Sequence, residues 1–329
     1  ISENLKSGKV LILYGPRQVG KTTLVHEFLK KTTLRSRYVT GDDLQLANDL
    51  SKCTATSTAN FVGNYELLVI DEAQRIPNIG LALKLMVDAN PNKYFIATGS
   101  SSFDLASRTE ESLTGRKNTI NLFPISQLEL LKESSPIELI NKIESFLIYG
   151  SYPDVISQST YSEKEDILRQ LSNSYLLKDI LEYSGVKNSE KILQILKLLA
   201  FQVGSEVSTV EIANKVEIDS KTVAKFLDLF EKSFVIFRLG GFSRNLRKEV
   251  SKMSKYYFYD TGIRNALISN FNKLENRDDI GLLWENFLMI ERKKRNSYLK
   301  TSQNYYFWRT YDQKEIDLIE EHSGKLHGF

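Results

Sequence analysis

An apolar run, Val10-Leu11-Ile12-Leu13-Tyr14, leads straight into Gly15-Pro16-Arg17-Gln18-Val19-Gly20-Lys21-Thr22, and an amphipathic stretch continues from Thr22 to Lys30. Strand, then G-x-x-x-x-G-K-T, then helix is an order with few physical solutions. The glycines let backbone N–H groups wrap an anion, and the helix N-terminus adds a positive dipole end. The spacing predicts a phosphate-binding loop over Gly15–Thr23 (Gly15, Pro16, Arg17, Gln18, Val19, Gly20, Lys21, Thr22, Thr23). Lys21 is expected to reach the β/γ-phosphates of a nucleotide and Thr22 to offer its hydroxyl to Mg²⁺.

Such a loop needs a second acidic group for the metal, carried at the end of a buried strand. Leu67-Leu68-Val69-Ile70-Asp71-Glu72 has that pattern. A continuous apolar run suits a parallel strand covered on both faces. Asp71 is therefore the expected metal partner of Thr22, and Glu72 the carboxylate that polarises an attacking water. Lys93–Ser100 reads as a further strand ending in small polar residues. Thr98 or Ser100 would hydrogen-bond the γ-phosphate or the lytic water, with Ser100 the candidate. Arg37–Thr40 and Asn118–Leu122 complete the strands, and Leu81–Ala89 is helical, closed by Asn90-Pro91. Strands alternating with helices predict an α/β, doubly wound parallel sheet. Arg116, just before the last strand, is a candidate contact to a γ-phosphate of its own or a neighbouring subunit, in competition with Arg108 and Arg17.

The remaining numbers set limits. At 329 residues the chain is expected to hold two or three domains. With 41% hydrophobic and 26% charged residues it belongs among globular chains. A net charge of +3 is too small to argue for nucleic acid by itself, so only local clusters bear on that question. One cysteine, Cys53, excludes an internal disulfide framework and fits a cytoplasmic setting. No apolar run approaches the ~18 residues of a membrane span, so no membrane partner is expected. The first residue is Ile1 rather than Met, and an earlier segment is expected to be missing.

From Ser126 to about Ser184 apolar positions recur three and four apart, interrupted at Tyr149-Gly-Ser-Tyr-Pro153. Ser189–Val203, Ser208–Lys215 and Asp219–Glu231 read as three helices followed by a strand, Ser233–Leu239, an order that suggests a winged helix. The second helix of that unit, Asp219–Glu231, would present Lys221, Thr222 and Lys225 outward. Between Arg238 and Lys255 six basic residues (Arg238, Arg244, Arg247, Lys248, Lys252, Lys255) face Glu249 alone. A local surplus of that kind is the footprint expected of phosphate contact. Arg292-Lys-Lys-Arg295 reads as the exposed face of a helix that begins near Leu282.

The chain resembles the AAA+-related P-loop ATPases of prokaryotes, and within them a family that joins an ATPase core to a winged-helix region and a PD-(D/E)xK nuclease-like domain. The resemblance is carried by Tyr14–Thr23, Leu67–Gln74, Thr98-Gly-Ser100, Leu113-Thr-Gly-Arg116, Phe123-Pro-Ile-Ser126, Tyr149–Pro153 and Phe258-Tyr-Asp-Thr-Gly262. It implies an ATPase core over 1–125, a helical lid over 126–188, a winged-helix region over 189–270 and a partial nuclease-like segment over 271–329. In that segment Glu285 and Asp317 match two of the nuclease-like metal ligands. The sequence reaches Phe329 where a Glu-x-Lys would be expected, and cleavage of DNA is not expected of this chain. The expected activity is ATP binding and hydrolysis with Mg²⁺, coupled to DNA through Lys221, Lys225, Arg244, Arg247 and Lys248. The alternatives are a nucleotide-dependent switch acting on a protein partner, and an ATP-gated nuclease in a longer protein. A homo-oligomer is a further expectation.

Overall fold

The computed structural model describes residues 1–52, 54–99, 113–175, 189–242, 254–301, 303–310 and 314–329. The chain folds as two compact units, Ile1–Leu122 and Phe123–Phe329. Cys53, Ser100, Arg108, Arg244, Arg247, Lys248 and Lys252 lie outside the described residues.

The first unit runs β1 (Val10–Tyr14), α1 (Lys21–Lys31), β2 (Ser36–Thr40), α2 (Leu44–Ser51), α3 (Ala55–Val62), β3 (Leu67–Asp71), α4 (Ile79–Ala89), β4 (Tyr94–Gly99) and β5 (Lys117–Asn121). The strands form one five-stranded sheet in the order β2-β3-β4-β1-β5, and every pair is parallel. All five residues of β1 and of β3 are buried, which is why both read as unbroken apolar runs. Alternate residues Leu11, Leu13, Leu67, Val69 and Ile96 share a core cluster with Val25 of α1. This is the fold of a P-loop NTPase: α/β, doubly wound, with the phosphate-type loop between β1 and α1.

The second unit begins with five helices, α5 (Gln127–Leu130), α6 (Pro136–Asn141), α7 (Ile143–Tyr149), α8 (Pro153–Ile156) and α9 (Tyr161–Gln170). Ser126, Ser135 and Thr160 each close a capping box at a helix start. Then follow α10 (Ser189–Phe201), β6 (Glu206–Val207), α11 (Thr209–Val216), α12 (Ser220–Lys232), β7 (Ile236–Gly241), β8 (Ser254–Phe258) and α13 (Thr261–Leu267). The chain closes with α14 (Ile280–Tyr298), β9 (Asn304–Arg309), β10 (Glu315–His322) and β11 (Lys325–Gly328). One six-stranded sheet, β11-β10-β9-β7-β8-β6, runs through the second half of the unit. Its seam is the parallel pair β7–β9, where Gly240 faces Tyr306. Among the described residues, no helix is long and apolar enough to cross a membrane.

Two sequence stretches without evident chemistry, Tyr149–Pro153 and Phe258–Gly262, meet in this unit. Side chains of α13 close the C-terminal end of α7: Thr261 Oγ1 donates to the Phe146 carbonyl, and Asn265 Nδ2 to those of Leu147 and Ile148. The Leu147 and Ile148 carbonyls are ones a helix end leaves without partners, while the Phe146 carbonyl also accepts from Gly150 N at 3.0 Å. Asp260 caps α13 through Ile263 N at 3.1 Å and accepts from Ser151 N at 2.7 Å. Gly150 has φ +71°, and a Cβ there would stand 2.0 Å from Asp260 Oδ1. Glycine is thus required both by the left-handed backbone and by the close carboxylate.

Burial pushes the Asp260 carboxyl up to about 6 from its usual 3.8, against the backbone donors and Lys294, which pull it down. A carboxyl raised in the folded state contributes stability that is full below pH 3.8 and is lost as pH climbs through about 6. A shift of that size corresponds to roughly 3 kcal/mol. Both tryptophans, Trp284 and Trp308, lie in the second unit, so their fluorescence reports its unfolding. In urea titrations the stability gap between wild type and Asp260→Asn is expected to change across pH 4–6 and to level off above it. A gap that does not vary with pH contradicts the assignment.

Candidate functional site

The loop between β1 and α1 takes its shape from two backbone features. Gly15 is packed so closely that a Cβ would lie 2.3 Å from the Leu122 carbonyl oxygen. Gln18 and Gly20 adopt positive φ, 58° and 93°. Lys21, the first residue of α1, is buried, and its Nζ donates to the carbonyls of Gly15 at 2.9 Å and Pro16 at 2.8 Å. The ammonium is therefore held inside the loop it belongs to. Gln18 and Thr23 lie towards solvent and Arg17 is half-buried, while Pro16 and Val19 are buried.

Parallel pairing brings the acidic residue to the loop. β3 and β1 are separated by β4, and all three point the same way, so their carboxyl ends share one edge. Asp71 ends β3 there and is buried. Its Oδ2 accepts from Thr22 Oγ1 at 2.8 Å and from Tyr38 Oη at 2.6 Å, and its Oδ1 accepts from Thr98 Oγ1. Burial first, and then the Asp71 bond, raise the Tyr38 phenol well above its ordinary value, so Tyr38 remains a protonated donor. The His26 ring lies against Tyr38 with centroids 4.7 Å apart.

Glu72 follows in the left-handed region, φ 49°, an uncommon conformation for a residue with a Cβ. Its backbone N–H donates to Thr98 Oγ1 at 3.1 Å, and Gln74 Nε2 donates to its Oε2 at 2.5 Å. A single hydroxyl, Thr98, thus joins both acids. Of the two β4 candidates the described site contains Thr98, since Ser100 lies outside the described residues. Tyr38 and Gln74 were not anticipated. Tyr38 was legible only as a strand residue, because its approach to Asp71 depends on β2 pairing beside β3 in register, Thr40 with Asp71.

Arg116 requires a correction. β1 and β5 pair with Val10 opposite Lys117 and Tyr14 opposite Asn121. Arg116 therefore stands at the amino-terminal edge of the sheet, and the loop leaves from the carboxyl edge, roughly 15 Å away at strand rise. Its guanidinium pairs with Asp88 at 2.6 Å. It does not reach a γ-phosphate bound by its own chain.

In the second unit Lys221 and Lys225 are exposed on α12, as the helical period implied. Of the basic stretch, Arg238 and Lys255 are described, and they differ: Arg238 is exposed and Lys255 is not. Lys255 is buried among carboxylates, and Arg238 donates to Ser254 Oγ at 2.7 Å. The Arg292–Arg295 run is likewise not an exposed face. Lys294 is buried, within 2.7 Å of Glu291, and Arg292 is paired with Glu320, leaving Arg295 exposed. Glu285 of α14 and Asp317 of β10 do converge, on the Lys255 ammonium at 3.7 and 3.8 Å.

Comparison with known proteins agrees with this geometry. Residues 7–131 match the family described as AAA domain. Residues 140–274 and 280–329 match two domains of unknown function, DUF8612 and DUF4143. Over residues 7–131 the chain is thus similar to the AAA+-related P-loop nucleotide-dependent proteins. Its relatives include an uncharacterized protein of Mycobacterium tuberculosis, 25% identical over 99% of this chain and 70% of that protein. Another, from Methanocaldococcus jannaschii, is 24% identical over 97% of this chain and 74% of its own length. A chain in the structure of Drosophila ORC bound to AT-rich DNA and Cdc6 aligns over 80% of this chain and 86% of its own. It does so at 10% identity and a TM-score of 0.29, too low to indicate a common overall fold.

Proposed function

We propose that this protein binds ATP with magnesium and hydrolyses it, and that the nucleotide state governs contact with DNA. The observation that carries the first part is the carboxylate of Asp71 bonded to the hydroxyl of Thr22, with Lys21 next in the chain. A hydroxyl and a carboxylate 2.8 Å apart are a donor set that fits a hard, oxygen-seeking cation. Mg²⁺, when bound, would neutralise phosphate charge. Gly15–Thr23 would hold the phosphates through backbone N–H groups. Lys21 would exchange the Gly15 and Pro16 carbonyls for β/γ-phosphate oxygens. Thr22 and Asp71 would orient the metal's ligand shell, and Glu72 would align the water that attacks the γ-phosphorus and accept its proton. Thr98 would keep Glu72 and Asp71 in fixed relation.

For the second part, the order α10, β6, α11, α12, β7, β8 supports a winged helix, with β8 pairing antiparallel to both β6 and β7. Lys221 and Lys225 on α12, with Arg244, Arg247 and Lys248 from the following stretch, would meet phosphates. A second reading, a nucleotide-dependent switch for a protein partner, is favoured by the mixed character of that face. Asp228 shares it with the lysines and pairs with Lys232 at 2.7 Å. Cytoplasmic location and self-association belong to the same proposal. Stimulation of ATP turnover by duplex DNA, fading steeply with salt, supports the first reading. No stimulation, with a nucleotide-dependent change in oligomer size, supports the second.

Lys21→Ala is expected to abolish ATP retention, measured by equilibrium dialysis. Glu72→Gln is expected to retain ATP yet lose turnover by roughly 10²–10³-fold. If both variants turn over ATP at the wild-type rate, the assignment fails.

Tyr38 acts in this scheme as a positioning residue, aiming Asp71 Oδ2 towards Thr22. Groups that orient a metal ligand typically contribute 10–100-fold to metal affinity. Tyr38→Phe keeps the ring and removes the donor. The Mg²⁺ concentration for half-maximal turnover is expected to rise about tenfold, with KM for ATP at saturating Mg²⁺ unchanged. An unaltered Mg²⁺ dependence rules the role out.

A further inference from the structure

β8 is buried along its whole length, yet its second residue is a lysine. The Lys255 ammonium stands 2.5 Å from Glu315 Oε1, 3.7 Å from Glu285 Oε1 and 3.8 Å from Asp317 Oδ1, with the Phe307 ring centroid 5.4 Å away. Tyr257, two residues on and so on the same face of the strand, donates to Glu285 Oε1 at 2.6 Å. Arg309 lies near Glu315 and Glu206, at 3.9 and 3.6 Å. Two of the three carboxylates around Lys255 are those for which the nuclease-like resemblance implies a divalent metal.

The residues do not fit that metal. An ion seated on Glu285 and Asp317 would sit at about 2.0–2.6 Å from their oxygens, in space the ammonium already commands. The Lys255 backbone pairs with Glu206 on one side and Leu239 on the other, so the side chain leaves a fixed point in the sheet among these carboxylates. Among the described residues no group of three His, Cys, Asp or Glu side chains is arranged to hold a metal.

We propose that Lys255 is the resident cation of this acidic cluster. Its ammonium occupies the position of a divalent metal and ties α14 and β10 to β8, so that the cluster is an ion-pair hub around a buried lysine rather than a metal centre. The role is independent of the nucleotide site.

A Mn²⁺ titration of the nucleotide-free chain, followed by the paramagnetic resonance of free Mn²⁺, tests it. An Asp71→Asn background silences the Thr22–Asp71 site. That protein is expected to retain no Mn²⁺ at millimolar concentration. Adding Lys255→Met is expected to create one Mn²⁺ site per chain, which a further Glu285→Gln change removes. Retention of Mn²⁺ by the background protein that Glu285→Gln abolishes overturns the proposal, and this arm decides alone if the Lys255→Met chain does not fold. A folded Lys255→Met chain that takes up no Mn²⁺ overturns it as well.

Discussion

The carboxylate of Asp71 is where the first unit is tied together. Three hydroxyls from three elements converge on it: Thr22 from α1, Tyr38 from β2 and Thr98 from β4. A buried carboxylate without such donors would be costly, because burial favours the neutral acid. The same donors that make the charge tolerable also fix its direction. The parallel sheet makes this convergence possible, since it delivers the ends of β1, β3 and β4 to one edge and leaves the loop glycines to close over them.

The second unit solves its buried polar groups by a different route. Its charges are neutralised within the chain: Asp279 against Arg264 and Arg277, Glu320 against Arg292, and Glu315, Glu285 and Asp317 against Lys255. Removing the partners of Arg264 or Lys255 strands a buried charge in a poor solvent, whereas Asp317 keeps much of its contact with water. The Asp260–Ser151–Gly150 junction works on the same principle with backbone donors. Lys255 and Lys294, which in sequence look like parts of a basic surface, are in fact interior.

Local pattern made the first unit readable. Val10–Tyr14 and Leu67–Asp71 are continuous apolar runs because both faces of those strands are covered, and the glycines of residues 15–20 have a conformational reason to be where they are. Thr22 and Asp71 could be paired from sequence because motif spacing and strand ends impose that meeting. Arg116 could not be tied to its own chain's loop, because proximity to a strand says nothing about which end of it the nucleotide loop occupies. Lys255 was misread for a related reason. Charge counted along a chain is blind to burial, and a lysine on a fully buried strand face meets carboxylates delivered by distant segments.

The sequence alone therefore determined the class of fold, the anion loop and the two acidic residues beside it, since each follows from local periodicity or from backbone geometry that few residues can adopt. Tertiary structure alone decided that Tyr38 and Thr98 share Asp71, that Gln74 holds Glu72, that Arg116 faces away, and that Lys255 answers Glu285, Glu315 and Asp317. Those facts depend on register and on elements as much as about 60 residues apart in the chain meeting in space. Periodicity carries no record of such meetings.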